Sequence, residues 1–257
     1  MKKLPEKIED IRVEIDRVDR TILSLMSERL ELAGAVRRAK SGARVWRPSR
    51  EDSLIRTLAE SGESSAQLVS RIWAELMSAS LALQGPMKLH IALEGDALEV
   101  WTLVRDRFGA AIPAKTYPTA SSALAAAYSE EEGVAILPAP SEFNSWWGSL
   151  CKDGAAPDMH ILAGLPRVGS DSWPRAVAVA TADILPSGAD VTLIALKDVT
   201  ALSQAGFDGI VRAQAGENTL ISVNGFVDSE SFERLVGIDS NAKIIGVISP
   251  PLPEATV

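Results

Sequence analysis

The stretch IEDIRVEIDRVDRTILSLMSERLELAGAV, residues 8–36, decides the fold of the first third of this chain. Its apolar residues recur at alternating spacings of three and four, as they do along the packing face of an amphipathic helix. The members of this stripe are Ile8, Ile11, Ile15, Val18, Ile22, Leu25, Leu32 and Val36. Position 29 belongs to the same stripe but holds an arginine. Because an unpaired buried guanidinium is costly, we expect an anion to meet Arg29, either an acid of a neighbouring helix or a bound ligand.

The helix that carries this stripe should be long. Pro5 favours its first turn and Ser41-Gly42 stops it after Lys40, which gives a rod of about 54 Å at 1.5 Å per residue. A domain of about 85 residues cannot cover such a rod alone. We therefore expect partner helices, at least some of them from a second chain.

Two shorter helices should follow. A capping-box pattern at Ser49–Asp52 predicts the start of the second helix, and Gly62 its end. The third helix should begin at Ser64 or Ser65 and end at Gln84. Gly85-Pro86 then predicts a domain boundary.

Beyond this boundary, short strands alternate with helices. Strands are predicted at 88–93, 134–137, 160–165 and 175–182, and helices at 96–108 and 119–130. The last part has the βαββαβ order of a ferredoxin-like unit, with strands at 191–197, 209–214, 218–224 and 243–248 and helices at 199–205 and 229–236. The predicted fold is multi-domain: an all-α three-helix domain (1–86) that forms an intertwined helical dimer, an α/β region (87–185) and the βαββαβ unit (186–257).

Composition excludes several classes of protein. The chain has 257 residues, of which 46% are hydrophobic, enough for two domains with their own cores. One cysteine and two histidines argue against a disulfide framework and a multi-ligand zinc site, so we expect no metal and no cofactor. The charged N-terminus is unlike a secretory signal and no apolar run approaches the length of a membrane span. We expect a cytoplasmic protein without a membrane partner.

Charge is divided unevenly within a net charge of −8. Residues 1–85 hold 15 basic and 13 acidic residues, whereas the rest holds 11 basic and 21 acidic ones. The six cations between Glu31 and Glu51 stand without an acid among them, which creates a local positive field. A domain of near-zero charge without aromatic stacking residues is a poor match for nucleic acid, so a small anion is the better partner.

Several polar residues of the helical domain point to one site. Lys40 follows Arg29 by eleven residues and is therefore turned only about 20° from it, about 16 Å along the helix. Ser80 and Gln84 stand where the inward row of the third helix would continue with apolar residues. Arg50-Glu51 adds a cation beside an acid at the start of the second helix.

These residues resemble the all-helical (AroQ-type) chorismate mutases. The resemblance covers residues 4–84 and rests on five motifs in order: Ile11-Arg12-Val-Glu-Ile15-Asp16-Arg-Val-Asp19, Ser27-Glu28-Arg29-Leu-Glu31-Leu32-Ala33, Lys40, Arg50-Glu51 and Ser80-Leu-Ala-Leu-Gln84. The resemblance implies that Arg12 and Arg29 bind the two carboxylates of chorismate, with help from Ser80. Arg12 and Arg29 lie about 25 Å apart on one straight helix, so Arg12 should serve the site of the partner chain in a homodimer.

The resemblance also assigns the remaining roles. Lys40 and Gln84 would donate hydrogen bonds to the ether oxygen of chorismate. Glu51 would accept a hydrogen bond from the ring hydroxyl, with Arg50 in support. The family usually has Asp where Arg47 stands, which leaves Glu51 alone to make this contact.

The C-terminal two thirds resembles, more weakly, a shortened prephenate dehydratase followed by an ACT-type regulatory module. Leu89-His-Ile-Ala-Leu-Glu94-Gly95-Asp96 and Val134-Ala-Ile-Leu137-Pro138 carry this resemblance. The chain reads Pro174-Arg175-Ala176 where a dehydratase has Thr-Arg-Phe, and Arg212-Ala-Gln-Ala215 where the ACT module has Glu-Ser-Arg-Pro. We therefore expect no prephenate dehydratase activity and a non-catalytic C-terminal region. Trp146-Trp147 is expected to anchor a loop to a core.

The function predicted from the sequence is that of a chorismate mutase, an isomerase of phenylalanine and tyrosine biosynthesis. Two alternatives remain open. The same cations would suit a lyase that removes pyruvate from isochorismate. A non-catalytic subunit that binds chorismate or regulates another enzyme of the pathway would also fit.

Overall fold

The computed structural model describes residues 7–39, 46–62 and 64–254. By packing, the chain divides into two compact units, one that ends at residue 43 and one that begins at residue 44. The first unit is built on a single long helix. The second contains six α-helices, one short 3-10 helix and all the strands of the described residues.

Helix α1 (Ile8–Ala39) confirms the long helix that the stripe predicted, and its 32 residues correspond to a length of about 48 Å. Acidic residues in its first turn and basic residues in its last turn complement the helix dipole. None of the described residues of α1 is buried. The apolar stripe is exposed along its whole length, with Ile15 at 53%, Leu25 at 59% and Leu32 at 61% of full exposure.

Helices α2 (Pro48–Ser61) and α3 (Ala66–Gln84) open the second unit. The predicted capping box of α2 is wrong, because the N-cap residue is Arg47, which makes no side-chain capping bond. Pro48, with its fixed φ angle, begins this helix instead. The start of α3 is as predicted, since the Ser65 hydroxyl accepts a hydrogen bond from Leu68 N.

A nine-stranded mixed sheet forms the centre of the second unit. Its strands are β1 (Lys88–Ile91), β2 (Ala114–Thr116), β3 (Gly133–Pro138), β4 (His160–Leu165), β5 (Ala176–Ala180), β6 (Val191–Leu196), β7 (Gly209–Ala215), β8 (Asn218–Asn224) and β9 (Lys243–Ile248). Their spatial order is β2-β1-β3-β5-β4-β9-β6-β8-β7. The sequence analysis placed every strand except β2, which has only three residues.

Four further helices connect the strands: α4 (Ala97–Phe108), α5 (Ala120–Tyr128), α6 (Thr200–Gln204) and α7 (Ser229–Ile238). The last four strands pair antiparallel in the order β9-β6-β8-β7. With α6 and α7 this is the predicted ferredoxin-like arrangement. Strand β9 pairs with β4 through Ile161 and Gly246, which joins the two halves into one sheet.

Helices α2 and α3 share their apolar cores with the sheet-bearing region. Ile55 and Met77 lie in one cluster with Val168 and Leu252, and Leu81 lies in a larger one with residues of the sheet. The division of the chain into domains 1–86, 87–185 and 186–257 stays a prediction from the sequence. By packing, residues 46–62 and 64–86 belong with the rest of the second unit.

The Trp146-Trp147 pair lies in a short 3-10 helix, Trp146–Leu150. Trp147 is fully buried against the sheet, and the Trp146 indole donates a 3.0 Å hydrogen bond to the carbonyl of Pro138. The prediction that this pair anchors a loop to the core is confirmed.

Candidate active site

Two of the predicted site residues lie on α1. Arg12 is exposed and Arg29 is half-buried. They stand seventeen positions apart on one continuous helix, hence about 25 Å along its axis, so one small ligand cannot contact both in the same chain. Lys40, the third predicted residue of this segment, lies outside the described residues.

Helix α3 presents the two predicted polar residues at its C-terminal end. Ser80 is 5% exposed, and its hydroxyl donates a 2.7 Å hydrogen bond to the carbonyl of Leu76. Gln84 is half-buried and is the last residue of the helix. Val69 and Met77 of the same helix are buried. This agrees with the sequence pattern, which placed them on the inward face of the helix.

Helix α2 separates the two residues of the Arg50-Glu51 pair. Arg50 is exposed, whereas the Glu51 side chain keeps only 13% of its exposure. Consecutive helical residues point about 100° apart, which explains this difference. Arg47, which replaces the usual Asp of the resembled family, is exposed. Of the predicted α2 residues, Glu51 is therefore the one held inside the protein.

Next to Glu51 lies a buried ion cluster that the sequence analysis missed. Arg107 of α4 holds Asp52 through two contacts, Nη1–Oδ1 at 2.8 Å and Nη2–Oδ2 at 3.1 Å. Arg167, two residues after β4, adds a 3.2 Å hydrogen bond from Nε to Asp52 Oδ1. All three residues are at most 5% exposed. Such a pairing offsets the desolvation of the three charges, since each has an opposite charge within bonding distance.

The same arginine also faces Glu51. Arg167 Nη2 lies 3.6 Å from Glu51 Oε2, and Arg167 Nη1 donates to the Ser70 hydroxyl of α3 at 3.5 Å. Burial lowers the pKa of Arg167 to about 10, so the guanidinium stays charged near neutral pH. Helices α2 and α3 and the sheet-bearing region thus meet at this residue.

The two carboxyl groups respond to this setting in opposite ways. Burial raises the pKa of Glu51 above its ordinary value, although Arg167 and Arg107 oppose the change. Burial also acts to raise the pKa of Asp52, but the charges and hydrogen bonds of the two arginines outweigh it and hold the pKa below its ordinary value. Asp52 is therefore a fixed negative charge, whereas Glu51 is the more readily protonated of the pair.

A signal for two members of this cluster was present in the sequence. Arg107 lies seven residues after Val100 and therefore on the same apolar face of α4, next to Phe108 at the end of the helix. It is a charge on an apolar helix face, as Arg29 is on α1. Asp52 stands one turn before the buried Ile55 on α2. Arg167 lies outside the helices and strands, where no periodic pattern could mark it.

Metal binding and membrane insertion each require a feature that the described residues lack. Within 7–39, 46–62 and 64–254, no group of three His, Cys, Asp or Glu residues is placed to hold a metal ion. In these same segments, no helix is long and apolar enough to cross a membrane.

The helical segment is similar to a known family. Residues 11–85 match the family model described as chorismate mutase type II, which confirms the resemblance indicated by the motifs. A bifunctional chorismate mutase/prephenate dehydratase of Stutzerimonas stutzeri is 32% identical over 100 residues, or 35% of this chain and 27% of that protein. A protein of the same description from Neisseria gonorrhoeae is 34% identical over 77 residues, or 29% of this chain and 21% of that one. These matches span about a quarter of the length of the relatives.

Among solved structures, a prephenate dehydratase from Streptococcus mutans aligns with 63% of this chain and 98% of its own length. The alignment has 15% identity and a TM-score of 0.45.

Proposed function

We propose that this chain is a chorismate mutase, which rearranges chorismate to prephenate in phenylalanine and tyrosine biosynthesis and works as a cytoplasmic homodimer. The observation that carries the proposal is the match of residues 11–85 to the chorismate mutase type II model. The residues Arg12, Arg29, Glu51, Ser80 and Gln84 all fall within the matched segment.

The chemistry suits these residue types. In this pericyclic reaction one C–O bond breaks while one C–C bond forms, and no proton is transferred. Catalysis then consists of holding the substrate in a compact conformation and stabilising the negative charge that grows on the ether oxygen. Arginine, lysine and glutamine side chains can do both without a group that titrates near neutral pH.

Each residue receives a role in this proposal. Arg29, together with Arg12 of the partner chain, binds the two substrate carboxylates through charge-assisted hydrogen bonds. Gln84 and Lys40 donate to the ether oxygen, and Ser80 supports carboxylate binding. Glu51, assisted by Arg50, accepts a hydrogen bond from the ring hydroxyl, and its carboxylate form is the stronger acceptor.

The exposed stripe of α1 supports the dimer. Eight apolar side chains of this stripe are exposed, between 38% and 61% in each case. A contiguous apolar face of this length costs free energy in water. We propose that α1 of a second copy covers it in an antiparallel, two-fold arrangement, which places Arg12 of one protomer beside Arg29 of its partner.

The C-terminal region has a structural or regulatory role in this proposal and no prephenate dehydratase activity. Pro174 stands where a catalytic hydroxyl would be required. The neighbouring Arg175 faces solvent, with a side chain 58% exposed, and lies 3.6 Å from Glu99. An exposed pair of this kind offers little of the desolvated electrostatic stabilisation that a decarboxylating dehydration needs. The βαββαβ unit is proposed to be ACT-like.

The test is a turnover assay with the pure protein on chorismate and, in parallel, on isochorismate. Loss of chorismate absorbance, with the product converted by acid to phenylpyruvate, would support the mutase. Release of pyruvate from isochorismate would identify the lyase instead. No turnover of either compound would leave a binding or regulatory subunit. Formation of phenylpyruvate from prephenate at neutral pH, faster than the spontaneous rate, would contradict the assignment of the C-terminal region.

A further inference from the structure

Arg167 is an unusual arginine because it belongs to the sheet-bearing region yet bonds to both α2 and α3. It follows β4 by two residues, and its side chain is 4% exposed. Three of its nitrogen atoms point at three different residues: Nε at Asp52, Nη1 at Ser70 and Nη2 at Glu51. A planar guanidinium can do this because its donors form a rigid fork.

Pairing with Asp52 alone does not account for this arrangement. Asp52 is already held by Arg107 through both of its carboxylate oxygens. Arg167 Nη2 is buried and makes no hydrogen bond to the described residues, and the acid that it faces is Glu51 at 3.6 Å. Two buried guanidinium groups against one carboxylate would leave an excess positive charge, which Glu51 neutralises when it is ionised.

We infer that Arg167 is a positioning residue for Glu51, so that a side chain of the C-terminal region orients a substrate-binding residue of the helical module. This inference rests on the proposed chorismate mutase function, in which Glu51 accepts a hydrogen bond from the substrate hydroxyl. Arg167 directs one oxygen of Glu51, and its charge favours the carboxylate form. The C-terminal region then helps the helical module to keep its activity as the pH falls.

The charges around Glu51 set the sign of the expected pH effect. Burial raises the pKa of Glu51, Arg167 and then Arg107 lower it, and Asp52, its neighbour on α2, raises it. Removal of Arg167 takes away the stronger of the two opposing cations, so the pKa of Glu51 must rise further. At a given acidic pH, less of the enzyme then carries the ionised Glu51.

The first experiment measures the pH profile of kcat/KM for chorismate with the full-length wild type and Arg167→Met. The acid limb of the variant should lie about one pH unit higher, the shift typical of a lost charge partner at this distance. Above this limb, activity should return to within about threefold of the wild type. A merely structural role would lower kcat/KM by the same factor at every pH, and that result would overturn the inference.

Two further variants keep the test decisive. Arg105→Met removes an exposed arginine of α4, two residues from Arg107, and should leave the profile unchanged. Arg167→Lys keeps the charge, but a single ammonium cannot reach Asp52 and Glu51 together as the fork does, so its acid limb should lie between those of wild type and Arg167→Met. If Arg167→Met does not fold, an Arg167→Lys profile identical to that of the wild type would overturn the inference.

A second measurement reports on Glu51 without the assay. In protein labelled with ¹³C at glutamate side-chain carboxyl groups, the Glu51 resonance, assigned by its loss in Glu51→Gln, should titrate at higher pH in Arg167→Met. An unchanged titration, in a wild type that turns over chorismate, would refute the role of Arg167 alone. A wild type that does not turn over chorismate would instead refute the proposed function, and the inference with it.

Discussion

Arg29 and Arg107 are both cations on the apolar face of a helix, but their surroundings differ. Arg29 interrupts the apolar stripe of α1, and Arg107 lies on the face of Val100 and Val104 at the end of α4. Arg107 is 4% exposed and forms an ion pair with the buried Asp52 of α2. Arg29 is half-buried, on a helix whose stripe is open to solvent.

The difference shows how a cation on an apolar helix face should be interpreted. Such a pattern predicts that the cation will lie in an apolar contact. It does not predict which anion will pair with the cation or which chain will supply that anion. For α4 the contact is made within the second unit, so the arginine is a structural ion-pair residue. For α1 the apolar stripe is exposed, and we propose that a second copy covers this stripe and that the substrate binds Arg29.

The largest effect is expected from Asp52→Asn. The substitution keeps the shape of the side chain but leaves Arg107 and Arg167 without their shared carboxylate, which should lower the free energy of unfolding by about 3–5 kcal/mol. Chemical denaturation followed by tryptophan fluorescence measures it. The matched control is Asp106→Asn, which breaks the more exposed pair with Arg71 and should cost less than about 1 kcal/mol. Equal losses in the two variants would mean that the buried cluster is no more than another surface pair.

The next effect is expected from Arg29→Ala. Loss of a charge-assisted carboxylate contact should lower kcat/KM for chorismate at least about a hundredfold, which corresponds to about 2.7 kcal/mol. Thermal stability should change little, in contrast to Asp52→Asn. Arg20→Ala, at an exposed position of the same helix, is the control and should keep full activity. If Arg29→Ala retained activity within a few fold of the wild type, Arg29 would be a structural residue like Arg107.

A smaller effect is expected in the pH dependence of stability. Because the pKa of Asp52 is lowered in the folded protein, its contribution is present above the unfolded-state pKa and is lost as pH falls through the folded pKa. The wild type should therefore lose stability in acid more steeply than Asp52→Asn, by up to about 1.4 kcal/mol per pH unit for one proton. Denaturation midpoints between about pH 5 and about pH 2 test this, because the loss begins near the unfolded-state pKa and continues below it. Parallel curves would show that Asp52 is not the low-pKa group of the cluster.

The smallest effect concerns α1. It tests the proposal that a second copy of the chain packs on the apolar stripe of α1 and shares its active site. Arg12→Ala and Arg29→Ala proteins, each inactive, are mixed and allowed to exchange subunits. Half of the dimers should then be mixed, each with one intact site, so activity should approach about a quarter of the wild-type value. Native mass spectrometry of chains that differ in mass confirms the exchange. Full exchange with activity at background would exclude a site shared between chains.

The periodic parts of the chain were predictable because their signal is local. The spacing of apolar residues placed α1, α3 and the strands from β3 to β9 within a few residues, and the element order of residues 191–248 predicted the ferredoxin-like unit. Very short elements could not be predicted in this way. Strand β2 has three residues, too few for an alternating pattern to be recognised.

The sequence by itself also determined which residues are candidates for catalysis, since Arg29, Glu51, Ser80 and Gln84 are polar groups placed at unusual or motif-defining positions of helices. Only the tertiary structure decided what Glu51 meets. Asp52 and Arg107 are 55 positions apart, and Asp52 and Arg167 are 115 positions apart. Helical periodicity says which face of a helix is buried, but not which distant charge will lie against that face. The packing of α2 and α3 against the sheet-bearing region determines which charge this is. A buried charge that has lost its water is stable only when the fold places an opposite charge or a hydrogen-bond partner next to it.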